Sequence, residues 1–183
     1  WLIGGDTVRH TLKVVSLQSD YEHLFGDPRG LFVPGDVYNT LGWSGHSVGL
    51  PNANYFQRGD AWERPVFVQL FDTDRTLALS QLMGARNHGA WSRAAAQKTL
   101  RLYARAEYGD SLANGRLFPE QEDAGFKRFL LRNSGNDWSG TGFRDALMQR
   151  IFRPLARLAA QDFEPAVVYV NGEYWGFQNL REH

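Results

Sequence analysis

The chain has no cysteine and only two methionines in 183 residues. Disulfides, thiolate metal sites and a cysteine nucleophile are therefore excluded. No apolar run approaches the length of a membrane-spanning helix. The five histidines are scattered without HExxH spacing, which argues against a zinc centre. No GxSxG elbow, internal repeat or low-complexity stretch occurs. Net charge is zero, so the chain as a whole is not a basic protein. Lysine is scarce: only Lys13, Lys98 and Lys127 stand beside seventeen arginines.

One further absence is local. Residues 75–106 contain no Asp or Glu, yet carry Arg75, Arg86, Arg93, Lys98, Arg101 and Arg105. Within this stretch lies Gly84-Ala-Arg-Asn-His-Gly89-Ala-Trp-Ser-Arg93, read as a glycine-punctuated basic loop, and then the strand-like run 97–104. A positive loop with free backbone N–H groups that feeds a strand suits a bound phosphate. A solvated basic face fits the same charges. Aromatics interleave the stretch only at Trp91 and Tyr103, too few for a nucleic-acid platform.

Strand alternation sharpens the reading. Thr99, Arg101, Tyr103 and Arg105 share one face and suit solvent. Lys98, Leu100, Leu102 and Ala104 share the other, so Lys98 points inward. An inward lysine requires a partner or an anionic ligand, unless it snorkels out at the sheet edge.

At 183 residues the chain forms one domain or a little more. It begins at Trp1 without an initiating Met and reads as an excerpt of a longer protein, with neighbouring domains on both sides. Strands are expected at 8–18, 64–72, 77–83, 97–104 and 126–132, and a long surface loop or lid at 35–61. Residues 107–125 read as polar turns. A helix is expected over 143–160, divided or kinked at Pro154, whose Phe143, Leu147, Met148, Ile151, Phe152, Leu155 and Leu158 stripe packs on the sheet. Asn171-Gly172 predicts a primed hairpin turn between 167 and 178. These elements predict an α+β fold, a mainly antiparallel sheet with one principal helix. Residues 1–60 form a β/loop-rich extension and 61–183 the main unit.

Gly84 to Ser92 is neither a Walker A nor a Rossmann turn, because a strand follows and not a helix. A glycine loop followed by a strand lysine is the order found in protein kinases. Such a site needs a helical acid to hold the lysine, and Asp145 is the helical candidate. Asp145 also suits the positive end of a helix dipole with no further role. Arg144 can reach toward the 133–139 loop. Asn136-Asp137 fits a metal or phosphate-bridging water, or ordinary Asx turns.

Several blocks then occur in order: Gly30-Leu-Phe-Val-Pro-Gly35, Trp62-Glu-Arg-Pro-Val66, the 84–93 segment, Gln97-Lys-Thr-Leu-Arg-Leu-Tyr103, Tyr108-Gly109, Leu131-Arg-Asn-Ser-Gly-Asn-Asp-Trp138, Phe143-Arg-Asp-Ala-Leu-Met-Gln149, Val170-Asn-Gly-Glu-Tyr-Trp-Gly176 and Asn179-Leu-Arg-Glu182. Together they resemble the CotH kinase family, named for a bacterial spore-coat protein. The resemblance implies the N-terminal lobe of an atypical kinase-like fold that binds ATP with magnesium and phosphorylates serine on protein partners. It places Lys98 in the nucleotide site, Gly84, Arg86, Gly89, Ser92 and Arg93 in the segment leading to it, and Asn179 to Glu182 where adenine is read. It implies that the catalytic and metal-binding carboxylates lie further on, in a second lobe, so that this chain alone does not transfer phosphate. Ala94-Ala-Ala96 departs from the bulkier, proline-bearing residues of relatives. Trp1-Leu-Ile-Gly-Gly5 resembles the tail of a preceding module. The implied setting is bacterial, extracellular or cell-envelope, and the alternative is a non-catalytic coat-scaffolding or adhesive module.

Overall fold

Strand β2, Arg64–Phe71, alternates buried and half-buried positions along its whole length. Its inward residues Val66, Val68 and Leu70 form one wall of the core. A computed structural model describes residues 10–41, 52–119, 125–156 and 160–183. It contains seven strands: β1 (Lys13–Gln18), β2, β3 (Leu77–Asn87), β4 (Leu100–Tyr103), β5 (Arg128–Arg132), β6 (Phe163–Val170) and β7 (Glu173–Glu182). The helices are α1 (Tyr21–Phe25), α2 (Asp36–Leu41) and α3 (Arg144–Ala156).

The strands form a closed barrel in the order β1-β2-β3-β4-β5-β7-β6. Neighbours are antiparallel except at the seam, where β1 lies parallel to β6 and sets Val15 opposite Val168. This corrects the expected α+β layer. A parallel pairing between the first and sixth strands leaves no trace in local periodicity, yet it closes the sheet and removes its edges. The helix layer is absent as well. On α3 the expected stripe does not cover the sheet: Leu147 is 40 % exposed and Phe152 48 %, with Phe143, Met148 and Ile151 between them. Among the described side chains of that helix, only Ala146 is fully buried. The helix runs through Pro154 to Ala156. Leu158 and the side chain of Leu155 lie outside the described residues, as does the segment Trp1 to Gly5.

Local expectations hold where the signal is local. Asn171 (φ 49°) and Gly172 (φ 88°) make the left-handed turn that joins β6 to β7. An Asp72 to Thr76 turn returns β3 onto β2. The 35–61 segment is not loop throughout. It contains α2 and single 3-10 turns at Asn54–Phe56 and Asp60–Trp62, with 42–51 outside the described residues.

The core fills the barrel from all seven strands, with Val15, Leu17, Met83, Leu102, Leu131, Val168 and Leu180 fully buried. Leu24 and Leu31, around α1, join the same cluster. Phe32 stacks on Trp175 at 5.0 Å beside them. Leu17 bridges both sides of the seam, opposite Val68 and Val170. Leu17→Ala is expected to cost about 2–5 kcal/mol in a single urea transition. A separate early transition carrying that loss would mean that β1 unfolds apart from the barrel.

Candidate functional site

Lys98 sits two residues before Leu100, on the same inward parity as Leu100 and Leu102, and is 4 % exposed. Its Nζ donates to the Ala95 carbonyl at 2.7 Å and lies 3.9 Å above the Tyr55 ring. Among the described residues no carboxylate pairs with it. Burial pulls its pKa from the ordinary 10.5 down to about 8. The Tyr55 hydroxyl is shifted up, first by its own burial and then by Tyr38. Neighbouring amides clamp the segment. Asn133 Nδ2 donates to the Gln97 carbonyl and Gln178 Nε2 to the Lys98 carbonyl, each at 2.6 Å. Regular strand begins only at Leu100, later than the expected 97.

The expected glycine loop is half strand. Gly84 through Asn87 are paired in β3, so their backbone groups belong to the ladder. A Cβ at Gly84 would meet Glu63 Oε1 at 2.1 Å and displace that side chain. That carboxylate accepts from Arg105 Nη2 at 3.1 Å and lies at ion-pair distance from Arg86 Nε, 3.1 Å, and Arg105 Nε, 3.0 Å. Arg86 also pairs with Asp60 at 2.8 Å, so its charge is already committed. The true turn is confined to 88–90. Gly89 there has φ 117°, and Ser92 Oγ would lie 2.3 Å from an added Cβ. Ser92 and Arg93 follow on a 3-10 turn, Trp91–Ala94. Arg93 is 6 % exposed and donates to the carbonyls of Phe56 (3.0 Å) and Gln57 (3.2 Å). Lys98 and Arg93 thus both reach the Asn54–Phe56 turn, whereas Gly84 and Arg86 belong to the Glu63 cluster. Glu182 ends β7, opposite Phe129.

Asp145 is engaged elsewhere than Lys98. It accepts from Arg181 Nη1 at 2.8 Å and pairs with Arg132 Nε at 3.2 Å, which corrects the expected lysine pair. Arg181 is 1 % exposed on β7 and also donates to Gln161. Asp137 starts α3: its carboxylate accepts from Thr141 Oγ1 at 2.5 Å and from the Arg144 amide at 3.0 Å. The Thr141 hydroxyl, then the Arg144 amide, lower its pKa to about 2. Asp137 closes turns in this arrangement, and Arg144 reaches it at 3.3 Å as expected.

The outer wall departs from the expected solvent face. Thr99 and Tyr103 were assigned to solvent, yet both are buried. The Tyr103 ring is flanked by the guanidinium groups of Arg86 (4.2 Å), Arg105 (4.9 Å) and Arg101 (5.9 Å). Arg101 Nη2 lies 2.5 Å from His88 Nδ1, and the His88 and His183 rings meet edge to face at 5.4 Å. The signal available was the run without acids, which leaves neighbouring cations with nothing local to neutralise them.

The folded pKa of Lys98 lies below its unfolded one, so the unfolded chain binds more protons between about pH 8 and 10.5. The burial penalty is full below pH 8 and fades above it. Wild type should therefore gain stability relative to Lys98→Met as pH rises through that window, measured by chemical denaturation. A flat difference would mean that the amine is not desolvated. Asp145→Asn should cost about 1–3 kcal/mol by stranding Arg181. Its effect should add to that of Lys98→Met within about 0.5 kcal/mol. A larger coupling would put Lys98 into the Asp145 network.

Comparison with known families gives one match. The model described as CotH kinase protein matches residues 85–183, from the end of β3 to the end of the chain. A comparison with curated proteins finds no match. The matched span holds Lys98, Arg93, the Asp145 network and the β6–β7 hairpin. Matching more than half of its length, the chain belongs to the CotH kinase protein family.

Proposed function

We propose that this chain is the ATP-binding part of a CotH-like protein serine kinase. The family match over 85–183 is the observation that carries the reading. The donor set agrees with it. Lys98, at about 8, is still mostly protonated at neutral pH, and no carboxylate among the described residues competes there with a ligand phosphate. Arg93 buries an Nε–H that no atom of the described residues accepts. Among the described residues no three His, Cys, Asp or Glu side chains gather to hold a metal. Magnesium would therefore arrive on the phosphates. When bound, ATP supplies the transferable phosphoryl group and magnesium spreads its charge.

In this reading Lys98 and Arg93 hold phosphate oxygens, and the turn at Gly89 and Ser92 offers backbone N–H groups. Gly84 and Arg86 act one step removed, by fixing Glu63 on the wall. Asp145 positions α3 through Arg132 and Arg181. Asn179 to Glu182 lie beside the adenine. The substrate is a serine-bearing protein, and the setting is the bacterial exterior or envelope, with neighbouring domains on either side. A second reading is a non-catalytic surface or coat module: among the described residues no carboxylate pairs with Lys98, and active kinases hold that lysine with an acid.

Titration calorimetry with ATP and magnesium tests the first reading. Saturable binding is expected, weakened about tenfold by Lys98→Met through loss of a charge-assisted contact. No binding by the wild type would leave only the second reading.

A further inference from the structure

We infer that Tyr55, Phe56 and Gln57 form a cover over Lys98 and Arg93, and that a nucleotide enters by displacing it. The inference rests on the nucleotide reading for its ligand, while the cover itself consists of contacts within the chain.

Both proposed phosphate donors are engaged with this one segment. Lys98 Nζ lies 3.9 Å above the Tyr55 ring. Arg93 Nη1 donates to the carbonyls of Phe56 at 3.0 Å and Gln57 at 3.2 Å. At the rim, the Phe56 ring meets Trp91 edge to face at 6.2 Å. Tyr55 is itself buried, and beneath the segment Lys98 and Arg93 are both nearly sealed from solvent. A triphosphate must bring its oxygens to these two side chains, so it cannot bind while the segment stays in place. A ring face and two carbonyls occupy the positions that phosphate oxygens would take.

These stand-ins carry no charge. They offer only dipoles and a π face to two desolvated cations. Hydrogen bonds from a cation to an anionic oxygen are about twice as strong as neutral ones. The donors that hold the segment down therefore favour a phosphate once it arrives. The segment also leaves its cations incompletely satisfied. Arg93 Nε–H has no acceptor among the described residues. Lys98, desolvated under the Tyr55 ring, has its pKa lowered to about 8.

The cover can lift without opening the barrel. No side chain of 55–57 belongs to the barrel core. One end is pinned, because the Asn54 amide donates to the Pro34 carbonyl and Asn54 Nδ2 to the Asp27 carbonyl, each at 2.8 Å. The other end runs into Gly59, which has φ 91° and no atom within 4 Å of its Cβ position. A glycine in open space changes its backbone angles readily. Asn54 and Gly59 thus bracket the three residues that must move.

The three lysines report the cover without any ligand. Lys127 is exposed, Lys13 is buried at the barrel seam against Asp72, and Lys98 lies beneath the cover. Labelling with an acylating reagent, read by peptide mass spectrometry, should be fast at Lys127, slowest at Lys13 and intermediate at Lys98. Tyr55→Ala should raise Lys98 labelling about tenfold and leave Lys13 unchanged. Its affinity for ATP with magnesium, by calorimetry, should rise by a similar factor, because more of the molecules are open. If Tyr55→Ala fails to fold, Tyr55→Leu, which keeps an apolar side chain but removes the ring face, decides by the same readings. Wild-type Lys98 labelling as fast as that of Lys127 overturns the inference. So does Lys98 labelling that matches Lys13 in both proteins. Weaker ATP binding by a folded Tyr55 variant also overturns it, since Tyr55 would then be a wall of the nucleotide site. Faster Lys98 labelling in Tyr55→Ala with no ATP binding by either protein would sink the nucleotide reading alone. ATP binding of equal strength in both proteins, with Lys98 labelling unchanged, would sink this inference alone.

Discussion

Five paired positions, Lys13 to Leu17 against Ala166 to Val170, turn a meander of antiparallel strands into a barrel. Without that parallel seam, β1 and β6 would be open edges, and the inward side chains of β2 and β7 would face no opposite wall. Closure also explains why no helix layer is needed. A sheet closed on itself buries its apolar face without one, and α3 is free to hold its own face outward. Lys13 marks the seam. It is buried on the inward parity of Val15 and Leu17, and Asp72 receives it at 3.1 Å from the end of β2.

The second organising constraint is the shortage of anions on a wall built with arginine. Glu63 and Asp145 each serve two guanidinium groups, so each carboxylate is a node and not one half of a pair. Arg64 makes do with backbone oxygens, donating to the carbonyls of Arg29, Ala61 and Glu63. A planar fork that can bind carbonyls, stack on Tyr103 and still keep its charge explains why arginine and not lysine fills these places. Gly84 belongs to the same economy, since its missing side chain leaves the room in which Glu63 sits.

What could be read from the sequence follows the distance over which each signal acts. The alternation of β2, the Asn171-Gly172 turn and the inward Lys98 are decided within a few residues, and all three appear as read. The 84–93 segment was misread because glycine marks turns as well as close approaches, and only the fold reveals Glu63 above Gly84. Asp145 was correctly seen on α3, but its partners stand on β5 and β7, beyond any spacing rule. Thr99 and Tyr103 were assigned to solvent because they are polar. They are buried because arginine side chains and Asn133 cover the outer wall. The α3 stripe was read as core from its period alone, and a period shows that a face is apolar without saying what lies against it.

Lys13 and Ala166 are roughly 150 residues apart along the chain, and contacts that distant are slow to form. The seam must therefore be among the last events of folding. A ribosome adding about 5–20 residues per second releases β6 on the order of ten seconds or more after β1. Throughout that interval β1, with its Val14-Val-Ser-Leu17 run, waits with one edge unpaired. The contact that completes the barrel thus gives the nascent chain a window of exposure set by the rate of translation.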